Sequence, residues 1–282
     1  MKRLPLRIDA LLVSLTLAVT PTWAASDLDG LEVLFVTKSS GFEHSVIRRD
    51  EGKPSHAEKI LESLASEHGF NLETTKDAGR VNAAELEKID VVVFYTTGDL
   101  TASGSAEGLF GGDGEPPMSA TGLGELLQWI RSGGAFVGIH SATDTFQAKD
   151  KSVVSPYVAM IGGQFRIHGA QFVGRVLNTA PEHPVMRGFP RQLEIKEEWY
   201  LFDHQFADAT EGEFKILARL DPLEARNEQP KLYDVAAYPI LWSRDFGEGR
   251  VVYNAMGHRE DVWTREEFQT LLINSLAWAA EQ

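Results

Sequence analysis

The 282-residue sequence has no cysteine. That excludes a disulfide scaffold, a thiolate zinc site, an iron–sulfur cluster and a cysteine nucleophile. Positive charge is also in short supply, with 27 Lys+Arg against 41 Asp+Glu and a formal net charge of −14. Such a chain is a poor partner for a nucleic-acid backbone. A neutral, cationic or metal-bearing ligand suits its field better. Long apolar runs are missing beyond the first 24 residues, so the rest of the chain offers no bilayer span. What remains is ordinary globular composition, 43% hydrophobic and 24% charged, in a length that fits one large domain or two small ones.

The N-terminus reads differently from the rest. Lys2, Arg3 and Arg7 precede an apolar run over residues 10–19, followed by Pro21-Thr22-Trp23-Ala24-Ala25. A basic start, a short apolar stretch and small residues form a secretory signal, with cleavage expected after Ala24. The run is about half of what a transmembrane helix needs. The expectation is a signal over residues 1–24 and a single exported domain over 25–282. It would be periplasmic or secreted and free of the membrane after cleavage. Oligomerisation stays open.

Apolar runs at 31–36, 90–95 and 135–139 predict strands covered on both faces, and 70–75 a shorter one. Helical spacing predicts helices over 55–68, 122–131, 153–161 and 268–280. Mixed patterns predict strands over 171–177 and 214–217, and a strand pair, 239–243 with 249–254, around Gly247-Glu248-Gly249. The order implies an α/β fold with a mostly parallel sheet and helices on both faces. Residues 101–118, with five Gly and two Pro, lack the Gly-Lys-Ser/Thr ending of a phosphate loop. They read as a mobile surface loop or as a lid.

In open parallel sheets, ligands bind beyond the carboxyl ends of the strands. Here those ends read Thr37-Lys38-Ser39-Ser40-Gly41-Phe42-Glu43-His44, Thr96-Thr97-Gly98-Asp99 and His140-Ser141-Ala142-Thr143-Asp144-Thr145. The segment Gly138-Ile139-His140-Ser141-Ala142 has the small-x-X-x-small form of a strand-to-helix elbow with His140 at the apex. Imidazole there can act as base or metal ligand. Ser141 sits one place off the apex, which disfavours a Ser-His-Asp triad. His168, His183 and His258, with Glu197 and Glu198, enlarge the pool of ligands. Histidine–carboxylate sets suit Zn²⁺, Mn²⁺ or Fe²⁺, although no spacing here is a tight signature. The plainer alternatives are a turn role for His183, a structural one for His168, a capping one for His44, and a surface helix for His56 and His68. Among the aromatics, Trp199 or Tyr200 is expected to face a ligand.

Taken in order, Lys38–Ser45, Thr96-Thr97-Gly98-Asp99, Gly134–Thr145, Ile161-Gly162-Gly163-Gln164-Phe165, Glu198-Trp199-Tyr200, Tyr238–Trp242 and Gly257-His258 resemble the ThuA-like family, named for trehalose utilisation. The resemblance runs from about residue 31 to 279. It implies a class I glutamine amidotransferase-like fold, a flavodoxin-like three-layer α/β/α sandwich. It also implies a role in the metabolism of disaccharides or their keto forms. The amidotransferase nucleophile is missing, so glutaminase activity does not carry over. Two features depart from the family: His168-Gly169 stands where His-Pro is usual, implying a less rigid loop, and residues 101–118 form a longer insertion.

The site expected from these readings has His140, Asp144 and Glu198 as catalytic groups. His44, Asp99, Ser141, Trp199 and Tyr200 would bind substrate, and His140, His168 and His258 would hold a divalent Zn, Mn or Fe. The expected ligand is a small carbohydrate and the expected reaction a hydrolysis, lysis or isomerisation. A non-catalytic carbohydrate-binding or accessory role is the alternative.

Overall fold

The computed structural model describes residues 28–104, 108–208 and 210–281. The expected signal lies outside them. Among the described residues there are eleven strands: β1 (Glu32–Val36), β2 (Asn71–Thr75), β3 (Val91–Phe94), β4 (Ala135–Ile139), β5 (Gln164–His168), β6 (Phe172–Asn178), β7 (Gln192–Glu197), β8 (Tyr200–Asp203), β9 (Phe214–Asp221), β10 (Tyr238–Phe246) and β11 (Gly249–Asn254). Nine build one sheet in the order β2-β1-β3-β4-β11-β10-β9-β6-β7, and β5 pairs with β8.

The sheet is half parallel and half antiparallel, which corrects the expectation of a mostly parallel one. β2, β1, β3, β4 and β11 run parallel. β11, β10, β9, β6 and β7 pair antiparallel. The inner strands of the first group include apolar runs such as VVVF and AFVGI, buried at every position. The second alternates, as in β7 (QLEIKE), which exposes Gln192, Glu194 and Lys196 and buries Ile195 and Glu197. Hairpins such as Gly247-Glu248 can only return the chain antiparallel. The same alternation explains why β7 is not foreseen: its charged positions leave no apolar run.

Helices flank the sheet. His56–His68 starts with a capping box between Ser55 and Glu58 and stops at left-handed Gly69. Gly122–Arg131 and Glu266–Ala280 bury their apolar stripes on the sheet. The helix expected over 153–161 begins only at Pro156, because Ser155 caps it and proline fits the first turn. No helix among the described residues is long and apolar enough to cross a membrane. The parallel half places the carboxyl ends of β1, β3, β4 and β11 side by side, and the turn joining β7 to β8 reaches the same edge.

Candidate metal centre

Three imidazoles come together at that edge, each from the end of a different parallel strand. His44 follows β1, His140 follows β4 and His258 follows β11. Their ring centroids are 5.0, 5.2 and 5.3 Å apart, with the planes at 72° to 87° to one another. Glu198, from the β7–β8 turn, completes the group. The four residues can each offer one ligand atom, all within 4.8 Å of one another.

The backbone is built to hold these rings. His140 has φ +44°, a left-handed conformation rare for a side-chain-bearing residue. Tyr253 holds it there by donating its hydroxyl to the His140 carbonyl at 2.7 Å. Gly257, at φ +118°, turns the chain into His258, and a Cβ there would lie 3.0 Å from Ile139 Cγ2. The Gly257 carbonyl accepts from Trp263 Nε1 at 2.8 Å and from the Tyr95 hydroxyl at 3.1 Å.

Hydrogen bonds set the tautomers. His140 Nδ1 lies 2.8 Å from the Ala255 carbonyl oxygen. A carbonyl only accepts, so Nδ1 carries the proton and Nε2 presents a lone pair. His44 Nε2 meets the Tyr200 hydroxyl at 3.3 Å, leaving Nδ1 for the centre. His140 Nε2, His44 Nδ1 and His258 Nδ1 are all buried and have no hydrogen-bond partner among the described residues. Buried polar atoms without partners are costly and rare. Three converging on one carboxylate form a donor set that fits a divalent cation.

The carboxylate divides its two oxygens. Glu198 Oε2 is 3.2 Å from His258 Nδ1 and 3.6 Å from His140 Nε2. Oε1 is 3.2 Å from His168 Nδ1. Burial opposes the charge on Glu198, but the His140 and His258 side chains beside its Oε2 outweigh it and hold the carboxyl well below its usual range. Burial pushes His44 well below the usual imidazole value, helped by His140 and His258. Burial also lowers His140, against the pull of Glu198. His258 moves upward: burial resists this, but the neighbouring Glu198 carboxylate prevails. Two neutral imidazoles and a firm carboxylate suit metal ligation, and His258 must give up its proton to join them.

Glu197 supports this group from beneath, a role its position beside Glu198 did not reveal. Its Oε2 accepts from the Gly257 and His258 amides at 2.8 and 3.1 Å, and Oε1 from the Glu198 amide at 2.7 Å. One buried carboxylate thus ties both ligand-bearing turns together. Burial drives its pKa up to about 7 despite those donors.

The other expected residues fall in different places. Trp199 is fully buried and donates Nε1 to the Phe172 carbonyl, so it belongs to the core and not to a ligand surface. Side chains alternate along the hairpin, which turns Trp199 away from its neighbours Glu198 and Tyr200. Tyr200 is also buried rather than exposed, but its ring packs 4.2 Å from that of His140. Asp99 is exposed and bonds its own turn at Thr101. Ser141 is buried, and its hydroxyl has no partner among the described residues. Asp144 accepts from Gln147 Nε2 at 2.8 Å, and burial raises its pKa to about 7. His168 stands outside the four-residue set, on the rim. His183 caps a turn through Val185 N, and His56 bonds the Glu260 carbonyl.

The glycine-rich stretch is anchored in its described part. Asp113 meets Lys38 Nζ at 2.7 Å and Ser39 N at 2.7 Å, with Lys76 Nζ at 3.5 Å, and Lys76 reaches Glu43 at 2.9 Å. Lys38 and Asp113 are 0% and 4% exposed, so this clamp is a buried ion pair. Beyond it, exposed Phe110 packs on Phe42, which packs edge-on against His44.

The ThuA (trehalose utilisation) family model matches residues 32–279. The chain belongs to the ThuA family. Membership implies a role in trehalose utilisation or carbohydrate metabolism. A ThuA-like protein from Bacteroides uniformis superposes with TM-score 0.63 at 19% identity, covering 92% of this chain and 94% of that one. One from Parabacteroides merdae gives 0.63 at 15% identity, with 89% and 90% covered. A cytoplasmic protein from Salmonella typhimurium gives 0.54 at 14%, with 89% and 100% covered. At these identities the likeness extends to the α/β fold and no further. No curated protein matches the chain.

Proposed function

We propose that this ThuA-family chain is a metal-assisted enzyme acting on a keto-sugar or a glycoside of one. One observation carries the reading: three buried imidazole nitrogens, without hydrogen-bond partners among the described residues, and a carboxylate oxygen lie within 4.8 Å of one another. The ligand set is His44, His140, His258 and Glu198. A three-nitrogen, one-oxygen set without sulfur suits Zn²⁺, Mn²⁺ or Fe²⁺. When bound, such an ion supplies Lewis acidity to a carbonyl or hydroxyl oxygen of the sugar.

The residues argue against glycoside cleavage by a carboxyl pair. That chemistry needs one carboxyl free to donate a proton and another free to act as base or nucleophile. Glu198 spends both oxygens on imidazoles. Asp144, protonated near neutrality and close to Tyr200, is left as a hydrogen-bond donor to the substrate. The scaffold fits the amidotransferase-like three-layer type, since the order β2-β1-β3-β4 with β11 next follows the flavodoxin pattern. The basic and apolar start of the chain supports a reaction in the periplasm or outside the cell.

Turnover tests the reading. The protein is loaded in turn with Zn²⁺, Mn²⁺ and Fe²⁺ and offered disaccharides and their keto forms. The expected result is conversion of a keto form, lost on chelation and restored by one of the ions. Calorimetric binding of the same sugars with no product from any loaded form would instead establish the carbohydrate-binding alternative.

A further inference from the structure

We infer that His168 is the base that moves the substrate proton in this site, and that it is not a metal ligand. The inference rests on the keto-sugar reading above and adds the residue that performs its central step. Four imidazoles surround or adjoin the centre, and three turn a buried nitrogen inward. His168 differs in exposure and in standing outside that set. Its side chain is 41% exposed, against 0% for that of His140 and 20% for that of His258.

The tautomer follows from its neighbours. His168 Nδ1 lies 3.0 Å from the Gly169 carbonyl oxygen and 3.2 Å from Glu198 Oε1. Both partners accept, so Nδ1 carries the hydrogen and cannot ligate a metal. The basic lone pair is then on Nε2, which has no partner among the described residues. Glu198 Oε2 faces the cation set while Oε1 holds His168. A carboxylate so placed fixes the ring and its tautomer, the orienting role of the acid in an acid–histidine dyad.

The ring is also held rigidly. Phe165 and Tyr200 stack on it at 6.0 and 5.9 Å, with interplanar angles of 29° and 25°. The loop beyond, which lacks the family's usual proline, is clamped by other means. Gly169 N donates to the Tyr233 hydroxyl at 2.9 Å, and Gln229 bonds both the amide and the carbonyl of Ala170. A Cβ on residue 169 would lie 2.2 Å from Gln229 Oε1, so glycine is what this packing accepts. The expected looseness of this loop is therefore corrected.

The step balances within the substrate. Nε2 takes the proton from a carbon next to the sugar carbonyl. The C–H electron pair becomes the carbon–carbon double bond of an enolate, and the carbonyl π pair moves to oxygen. Return of the proton to the same carbon reverses the step, whereas a proton delivered by water to the opposite face, with His168 releasing its own to solvent, inverts that carbon. No oxidant or reductant is needed.

The test uses full-length wild type, His168→Gln and His168→Asn, each loaded with Mn²⁺. Metal content is measured by elemental analysis. Hydrogen exchange of a keto-disaccharide in D₂O is followed by NMR on samples from which the metal-loaded protein has been filtered. Surface imidazoles of the wild type are mapped with diethyl pyrocarbonate. We expect both variants to keep their metal and thermal midpoint while exchange falls about 10²–10⁴-fold. We also expect His168 to be modified while His44 and His140 are protected. Loss of metal in the variants, exchange at the wild-type rate, or an unreactive His168 would each overturn the inference alone. A wild type that binds no metal or exchanges no proton would overturn the underlying functional reading as well.

Discussion

The two halves of the sheet contribute to the centre in different ways. The parallel half supplies His44, His140 and His258 at the tips of strands buried on both faces, so their positions follow from the most rigid part of the core. The antiparallel half supplies Glu197, Glu198 and Tyr200 from one turn, and β5 adds His168 at its rim. One half presents lone pairs, while the other brings the negative charge and the exposed base. Assembling the centre therefore requires the two halves to meet in register, and Glu197, bonded to amides of both, is where they are joined.

Perturbing each half sharpens this contrast. The largest effect is expected from Asp113→Ala, which leaves Lys38 buried without its counterion on the parallel side. Loss of one partner of such a pair costs about 3–5 kcal/mol, readable as a shift in the urea midpoint. Glu197→Gln comes next. An amide oxygen can serve the Gly257 and His258 N–H groups, but its NH₂ then opposes the Glu198 N–H. Metal affinity should fall about 10–100-fold in a competition titration, with a smaller loss of stability.

Asp144→Asn acts in the opposite direction. The folded chain holds Asp144 protonated up to about pH 7, whereas the unfolded carboxyl releases its proton near 3.8. Stability is therefore lost as pH rises between those values. The variant should melt higher than wild type at pH 8, with the gain vanishing near pH 4. The smallest effect concerns His183, remote from the centre on the antiparallel side. Burial, then Lys215 and Arg250, lower its pKa from 6.5 to about 4. The unfolded chain binds the extra proton in that window, so stability falls as pH drops from 6.5 to 4. His183→Asn should flatten this part of the melting profile.

Sequence disclosed the two halves unequally, for physical reasons. Strands buried on both faces are continuous apolar runs, so β1, β3 and β4 and their polar tips could be read directly. The elbow at His140 was legible because it needs small residues on both sides. Its tautomer was not, because that depends on the Ala255 carbonyl 115 positions away. Glu198 and Trp199 are neighbours in sequence, yet one faces the centre and the other the core. Only the register of the hairpin decides which. The Lys38–Asp113 clamp joins residues 75 apart, and nothing local marks either as a partner. His168 was visible as a histidine, but its separation from the ligand set depends on which oxygen of Glu198 it meets.

The most direct test of the central claim is the number of divalent ions bound per chain, measured by elemental analysis on wild type and His140→Ala after loading and exhaustive dialysis. The account predicts one ion per wild-type chain and close to none in the variant, with both proteins folded. A folded wild type that retains no ion, or a variant that retains as much as wild type, would contradict it.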